Sequence, residues 1–387
     1  MDRDLVETAA ALQTSPLEDA FLPERLEASE AIERAEAALD ARDYADVPAL
    51  LKQVRPTLAV LGLRDLELRA LLAESWAQMY LGEIEKTAGL LERARDLAES
   101  EGFTDVDRAE VLYRLGCCRV KENANTEAVQ LLTVALELCD RSGLACDRLR
   151  SNVFEWRSRC YRNQRDFDAA WADAERALEL AKGLADGETL AHAYFQASLV
   201  AERTGQWLMA QFYAEKAKEL YEQAGDPESV GRLFNNLGGL AFLLGRHEEA
   251  ISCLKESFRI ALGLGNDVDA GYAVSSLAQV NLRTGNAASA EEQAGHALRL
   301  LGDRIELIEE VGNAQLVLGR ALVEQGRFGE AADVLGRAEE TFERFGSTSH
   351  RAAAWIAQGD LARRCGDLGL AADLYQHAAE ALQDFHF

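Results

Sequence analysis

The sequence predicts an all-α chain, an α-solenoid built from about nine helix–turn–helix repeats. Three observations carry that expectation. Small residues recur at one fixed spacing, glycines recur at the same spacing, and prolines are scarce, five in 387 residues. No segment alternates apolar and polar residues long enough to suggest a strand. With 48% hydrophobic and 28% charged residues, the chain has an ordinary globular composition.

The small residues define the helix pairs. In the first helix of each pair they fall at Ala35, Ser75, Gly116, Ser158, Ser198, Gly238, Ala278, Gly319 and Gly359, at spacings of 40 to 42. Nineteen residues after each stands a second series, Val54, Ala94, Ala135, Ala177, Ala217, Ser257, Ala297, Ala338 and Ala378. Small side chains at these places let two helices approach closely. Two glycine series punctuate the pairs. Gly82, Gly205, Gly245, Gly285, Gly326 and Gly366 lie seven residues after the first small position. Gly62, Gly102, Gly143, Gly183, Gly225, Gly265, Gly302 and Gly346 follow the second helix. A glycine past a helix end takes the left-handed conformation that satisfies the last carbonyls. Each unit therefore reads helix, tight turn, helix, turn.

This pattern resembles the tetratricopeptide repeat, most closely at 237–258, 318–342 and 160–180, and the resemblance covers residues 28–387. The repeats are about 40 residues long against the usual 34, which lengthens the helix pair by one or two turns. Long repeats of this kind are similar to those of the maltose-activator type of bacterial regulator, of bacterial quorum-peptide receptors and of spindle-orientation adaptors. The resemblance implies a right-handed superhelix and a concave surface lined by the first helix of each pair. One unit cannot bury its own apolar face, so stability comes from stacking.

The chain divides into an N-terminal leader, 1–27, and the repeat domain, 28–387. In the leader, Leu5, Ala9 and Leu12 make a helical stripe, and Thr14-Ser15-Pro16 followed by Glu18 and Asp19 is a helix start. One reading is a leading helix and linker. The other is a remnant of the repressor-type (xenobiotic-response-element class) helix-turn-helix, which Leu5, Ala9, Leu12, Ser15, Leu17 and Phe21 resemble. Its recognition helix is not in this chain, so base reading is not expected. The first repeat is degenerate, with Val47 and Val54 where alanine is usual and Pro48 and Pro56 flanking its second helix. The last repeat is expected to cap itself with Asp373, Gln376, His377 and Glu380.

Composition excludes several function classes. The 41 Lys+Arg against 66 Asp+Glu leave a net charge of −25, which argues against a broad nucleic-acid or anionic-lipid surface. The seven cysteines form no Cys-x-x-Cys pair and read as buried free thiols of a reducing compartment. There is no secretion signal and no apolar run long enough to span a bilayer, so a cytoplasmic location is expected. No metal-binding histidine spacing, phosphate-cradling loop, nucleophile elbow or dinucleotide fingerprint occurs. No enzyme, metal or cofactor is expected.

The resemblance places the groove at positions six and three before, and one, four and five after, the first small residue. In the four units containing Ser158, Ser198, Gly238 and Ala278 these positions hold five arginines and two glutamates, a mildly basic strip in an acidic chain. The candidate ligand-binding residues are Asn152, Arg159, Arg162, Asn163, Phe195, Arg203, Arg232, Asn235, Phe242, Tyr272, Gln279 and Arg283. The amides both donate and accept, as an extended peptide backbone requires. The arginines can hold carboxylates in bidentate fashion, unless neighbouring acids already pair them. Trp156, Trp171, Trp207 and Trp355 are expected in the core or between repeats. The arginine-rich stretch 148–165 reads as a solvated face or a docking patch for an acidic segment. The expected partner is a protein or peptide, bound by the sensing module of a bacterial transcriptional or signalling regulator; the alternative is a passive assembly scaffold.

Overall fold

The computed structural model describes residues 22–302, 304 and 307–383. The leader and its helix-turn-helix reading, up to Phe21, lie outside these residues. Nineteen α-helices and no strand occur among the described residues. They fall into two compact units, one ending at Ala185 and the other beginning at Asp186.

The first unit holds four repeats. Its helices are α1 (Leu22–Asp40), α2 (Val47–Lys52), α3 (Arg55–Leu61), α4 (Arg64–Tyr80), α5 (Ile84–Ala98), α6 (Asp105–Lys121), α7 (Asn125–Ser142), α8 (Asp147–Asn163) and α9 (Phe167–Gly183). The second unit holds five. Its helices are α10 (Gly187–Arg203), α11 (Trp207–Ala224), α12 (Pro227–Leu243), α13 (His247–Gly263), α14 (Asp267–Arg283), α15 (Ala287–Leu301), α16 (Ile308–Glu324), α17 (Phe328–Phe345), α18 (Thr348–Cys365) and α19 (Leu368–Gln383). Within each unit the two helices of a pair pack on each other, each second helix packs on the next first helix, and successive first helices touch at α4–α6–α8 and α12–α14–α16–α18. That is solenoid stacking: the apolar faces are buried only by neighbours.

Both small-residue series are buried, which explains their spacing. Every alanine, serine and valine among them is at most 6% exposed. Where the first series has glycine, the partner helix fills the space. A Cβ on Gly116, Gly238, Gly319 or Gly359 would come within 2.4–2.7 Å of Leu132, Leu254, Leu335 or Tyr375 respectively. Where the series has Ser158 or Ser198, the hydroxyl instead donates across the pair to the carbonyl of Ala170 or Ala210, at 2.7 and 2.9 Å.

The turns follow the glycine pattern with two departures. Thirteen of the fourteen predicted glycines have positive φ; Gly183 does not, and ends α9 inside the helix. The first helix of every repeat closes with the paired backbone bonds of a left-handed cap, as in Gly205 N–H to Glu202 and Gln206 N–H to Ala201. In the three repeats lacking glycine there, Arg42, Asn123 and Arg165 take φ of 62–64° instead. The first repeat corrects the expectation of one second helix flanked by prolines. Pro56 has no N–H for the carbonyl of Lys52, so the helix breaks into α2 and α3. Pro48, Pro56 and Pro227 all occupy the first two positions of a helix, where that N–H is not needed.

Five of the cysteines, Cys117, Cys118, Cys139, Cys146 and Cys160, are buried; Cys253 is half-buried and Cys365 exposed. Burial pushes the Cys117 thiol well up, which keeps it protonated and inert. No helix among the described residues is long and apolar enough to cross a membrane.

Candidate functional site

In the first unit the expected residues sit on α8 and its end. Arg159 is half-buried, with its guanidinium 5.2 Å from the centre of the Trp156 ring, and burial pushes its pKa down. Asn152 and Arg162 are half-buried on the same helix, and one Arg162 Nη is fully enclosed. Asn163 is exposed and donates to Asn125 Oδ1 at 3.0 Å, which ties two turns together. The rest of the arginine-rich stretch is more structural than the sequence suggests. Arg157 makes two bonds to the buried carboxylate of Asp173, at 2.7 and 2.8 Å, and a third to Thr133. Arg150 pairs with Asp140 at 3.1 Å.

In the second unit the placements divide into engaged and open groups. Arg232 is engaged: it pairs with Glu228 at 2.6 Å and with Asp269 of the next repeat at 2.9 Å. Tyr272 is half-buried on α14 against a core cluster that includes Ala297, Leu301 and Ala314, and burial pushes its hydroxyl up to about 12. Phe195 is half-buried on α10 and Arg203 is exposed at its end. Asn235 is half-buried on α12, and its Oδ1 is enclosed with no hydrogen-bond partner. Its neighbour Asn236 does the structural work there, donating to Glu202 at 2.9 Å and accepting from Ser198 at 3.3 Å.

Phe242, Gln279 and Arg283 come together. They line one cavity of about 180 Å³ with Leu282, Asn313, Leu316, Val317 and Arg320. It adjoins a larger one of about 570 Å³, lined by Leu282, Arg283, Gly285, Ala287, Arg320, Val323, Glu324, Ala357 and Asp360. Nearly all of these side chains come from the first helices α12, α14, α16 and α18. Asn313, Leu316, Arg320, Val323 and Glu324 stand at the groove offsets from Gly319, and Asp360 at the first offset from Gly359. The signal that finds them is therefore the same spacing carried two repeats further. Arg320 is half-buried and its Nε has no partner. Burial, and then the charge of Arg283, push its pKa down, while Asp360 opposes.

The tryptophans behave unequally. Trp355 donates to Glu339 at 2.7 Å and Trp156 packs on the core of the first unit. Trp207, expected in the core or between repeats, is 38% exposed at the start of α11, beside exposed Leu208, Met209 and Phe212. Among the described residues no group of His, Cys, Asp and Glu is placed to hold a metal ion.

Comparison with known proteins agrees with this architecture. Residues 229–302 and 316–384 each match a tetratricopeptide-repeat family model. No curated protein sequence matches significantly. Among solved structures, apo RapI is similar at 14% identity, covering 92% of this chain and 98% of that one with a TM-score of 0.66. The apo quorum sensor NprR from B. thuringiensis is similar at 13% identity, with 92% and 98% covered and a TM-score of 0.65. A Rap protein complexed with competence and sporulation factor is similar at 16% identity, with 91% and 99% covered and a TM-score of 0.61. The chain carries tetratricopeptide-type repeats and has the helical-repeat fold type of these three structures.

Proposed function

We propose that the protein is a non-enzymatic sensing or interaction module that binds an extended peptide or protein segment along its first-helix surface. The observation that carries this reading is the convergence of α12, α14, α16 and α18 on adjoining cavities, with open amides and apolar side chains presented together. Helices packed about 8–10 Å apart span roughly 25–30 Å across four repeats, the reach of about eight extended residues. Gln279 can bond a peptide N–H and C=O, Asn313 can accept from a peptide N–H while it donates to Glu310, and the Asn235 amide N–H can donate to a peptide C=O. Phe242, Leu282, Leu316 and Val317 can take an apolar side chain. The folds named above of a quorum sensor and of a Rap protein complexed with competence and sporulation factor agree with this reading. A sensor of this kind would serve a bacterial transcriptional or signalling regulator.

The test uses a peptide retained by the immobilised protein from a random pool and then synthesised. Its dissociation constant is measured by titration calorimetry for the native protein and for Asn235→Ala combined with Gln279→Ala. Losing two neutral hydrogen bonds of about 0.5–1.5 kcal/mol each predicts roughly 5- to 150-fold weaker binding. Equal affinity would remove the groove assignment.

One observation favours the second reading, a passive scaffold. Leu208 is 66% and Phe212 52% exposed on α11, an outer helix, beside Trp207 and Met209. Clustered exposed apolar side chains mark docking faces for other proteins.

A further inference from the structure

Two cysteines stand at the joint between the third and fourth repeats, in places that other joints give to different residues. Twelve residues before the first small position, four other repeats have Thr104, Asp186, Asp226 and Asn266. Each of these side chains accepts a backbone N–H at the start of its helix. The fourth repeat has Cys146 there, and α8 begins without a side-chain cap. Packing alone does not explain this cysteine, since a serine of nearly the same size would add the missing bond. Four residues after the second small position, other repeats bury Ala98, Ala181 and Ala261, and the third repeat buries Cys139.

The two departures meet. The Cys146 thiol donates to the Cys139 carbonyl at 3.8 Å, and a hydrogen bond joins the two thiols. Arg150 crosses the same joint to Asp140 at 3.1 Å, tying the two helix ends together beside the sulfurs. Burial, then the bond to Cys146 and its charge, push the Cys139 thiol up to about 12, against the charge of Arg150. Cys139 therefore stays a thiol. Cys146 opens α8 with Arg150 one turn on, the surroundings in which attacking sulfurs are found. Between the cysteines, Gly143, Leu144 and Ala145 form an exposed surface turn.

We propose that Cys139 and Cys146 are a reversible redox-modification site, at which a peroxide joins the two sulfurs in a disulfide that staples the end of α7 to the start of α8. The Cys146 sulfur attacks one peroxide oxygen, the O–O bond breaks, and the first water leaves a sulfenic acid. The Cys139 sulfur then attacks that sulfur, the S–O bond breaks, and the departing hydroxyl takes the Cys139 proton as the second water. Two thiols and one hydrogen peroxide thus give one disulfide and two waters; sulfur is oxidised and peroxide oxygen reduced. The covalent link replaces the cap that α8 lacks, and a thiol reductant reverses it.

The experiment treats the full-length protein with hydrogen peroxide, alkylates the remaining thiols and digests with trypsin. Cleavage after Lys121, Arg141 and Arg148 puts Cys139 and Cys146 on separate peptides, 122–141 and 142–148. The expected product is these two peptides joined, lighter by two hydrogen atoms than their sum, at least tenfold over any other pairing of Cys146, and separated again by dithiothreitol. The oxidised protein melts at a higher temperature than the reduced one. Cys146→Ser and Cys139→Ala, each carrying a residue type found at helix caps or at the same place in other repeats, melt alike with and without peroxide. A Cys146 that remains open to alkylation, joins other cysteines equally, or passes to sulfinic or sulfonic acid overturns the site. A joined pair with no rise in melting temperature, or a rise that survives in both variants, overturns the staple.

Discussion

Arg320 and Glu310 are half-buried ionisable groups of the same helix, α16, and burial works against the charge of each. The Glu310 carboxyl is pushed up to about 7, first by burial and then by the charge of Glu309, with a bond from Asn313 opposing. The unfolded chain loses this proton near 4.5, so between 4.5 and about 7 the folded state binds more protons than the unfolded one. Stability therefore falls as pH rises through that window. Melting temperatures measured from pH 4.5 to 7.5 should show this decline, and Glu310→Gln should flatten it; an unchanged slope in the variant would assign the effect to other groups. The sequence holds the position of Arg320 plainly, since it follows Gly319 as Gln279 follows Ala278 and Arg159 follows Ser158. It does not show which arginines are neutralised. Arg232 stands at an equally good groove offset, yet Asp269, 37 residues away, pairs it. Such a partner is visible only once the repeats are stacked.

At the scale of the helix pair, closeness is set by two positions sixteen residues apart. Glycine in the first helix meets a large side chain in the second, as with Gly238 and Leu254 or Gly359 and Tyr375. Where the first position is Ser158, Ser198 or Ala278, the residue sixteen later is Ala174, Ala214 or Ala294. Volume is thus shared between the helices, and Ala35 with Leu51 and Ser75 with Leu91 are the departures. Gly238→Ala should cost about 1–3 kcal/mol by overpacking. Leu254→Ala alone should cost about 2–5 kcal/mol through the cavity it leaves. Combined, the two should cost less than their sum by about 1 kcal/mol or more, measured by chemical denaturation. Strict additivity would show that the contact is not tight. The spacing of small residues makes the pairing legible in the sequence. The left-handed turns at Arg42 and Arg165 were not, because nothing in an arginine announces positive φ, whereas Asn123 is of a type that adopts it more readily. Their signal is positional: they stand seven residues after the small residue, where the other repeats place glycine. The break between α2 and α3 was written in Pro56, whose effect inside a helix is steric and local.

For the whole molecule, a repeated local rule explains why the architecture could be read from one sequence. Each repeat restates the same helix, cap and small-residue spacing, so nine copies average out the ambiguity of any one. The proposed binding surface has no such redundancy. It draws Phe242, Gln279, Arg320 and Asp360 from four repeats about 40 residues apart, and its character comes from what is left unpaired after stacking. The net charge of −25 fits this picture, with exposed acids such as Glu248 and Glu340 on second helices and the cations Arg283 and Arg320 at the cavities. The central claim is that the first-helix surface of the 186–387 unit, and not the exposed face of α11, takes the ligand. Photo-crosslinking tests it most directly, with p-benzoylphenylalanine placed at position 242 or at position 212 and a retained peptide added. The account predicts a peptide adduct from position 242 and none from position 212. Adducts from position 212 alone, or equally from both, would contradict it and favour docking on the outer helix.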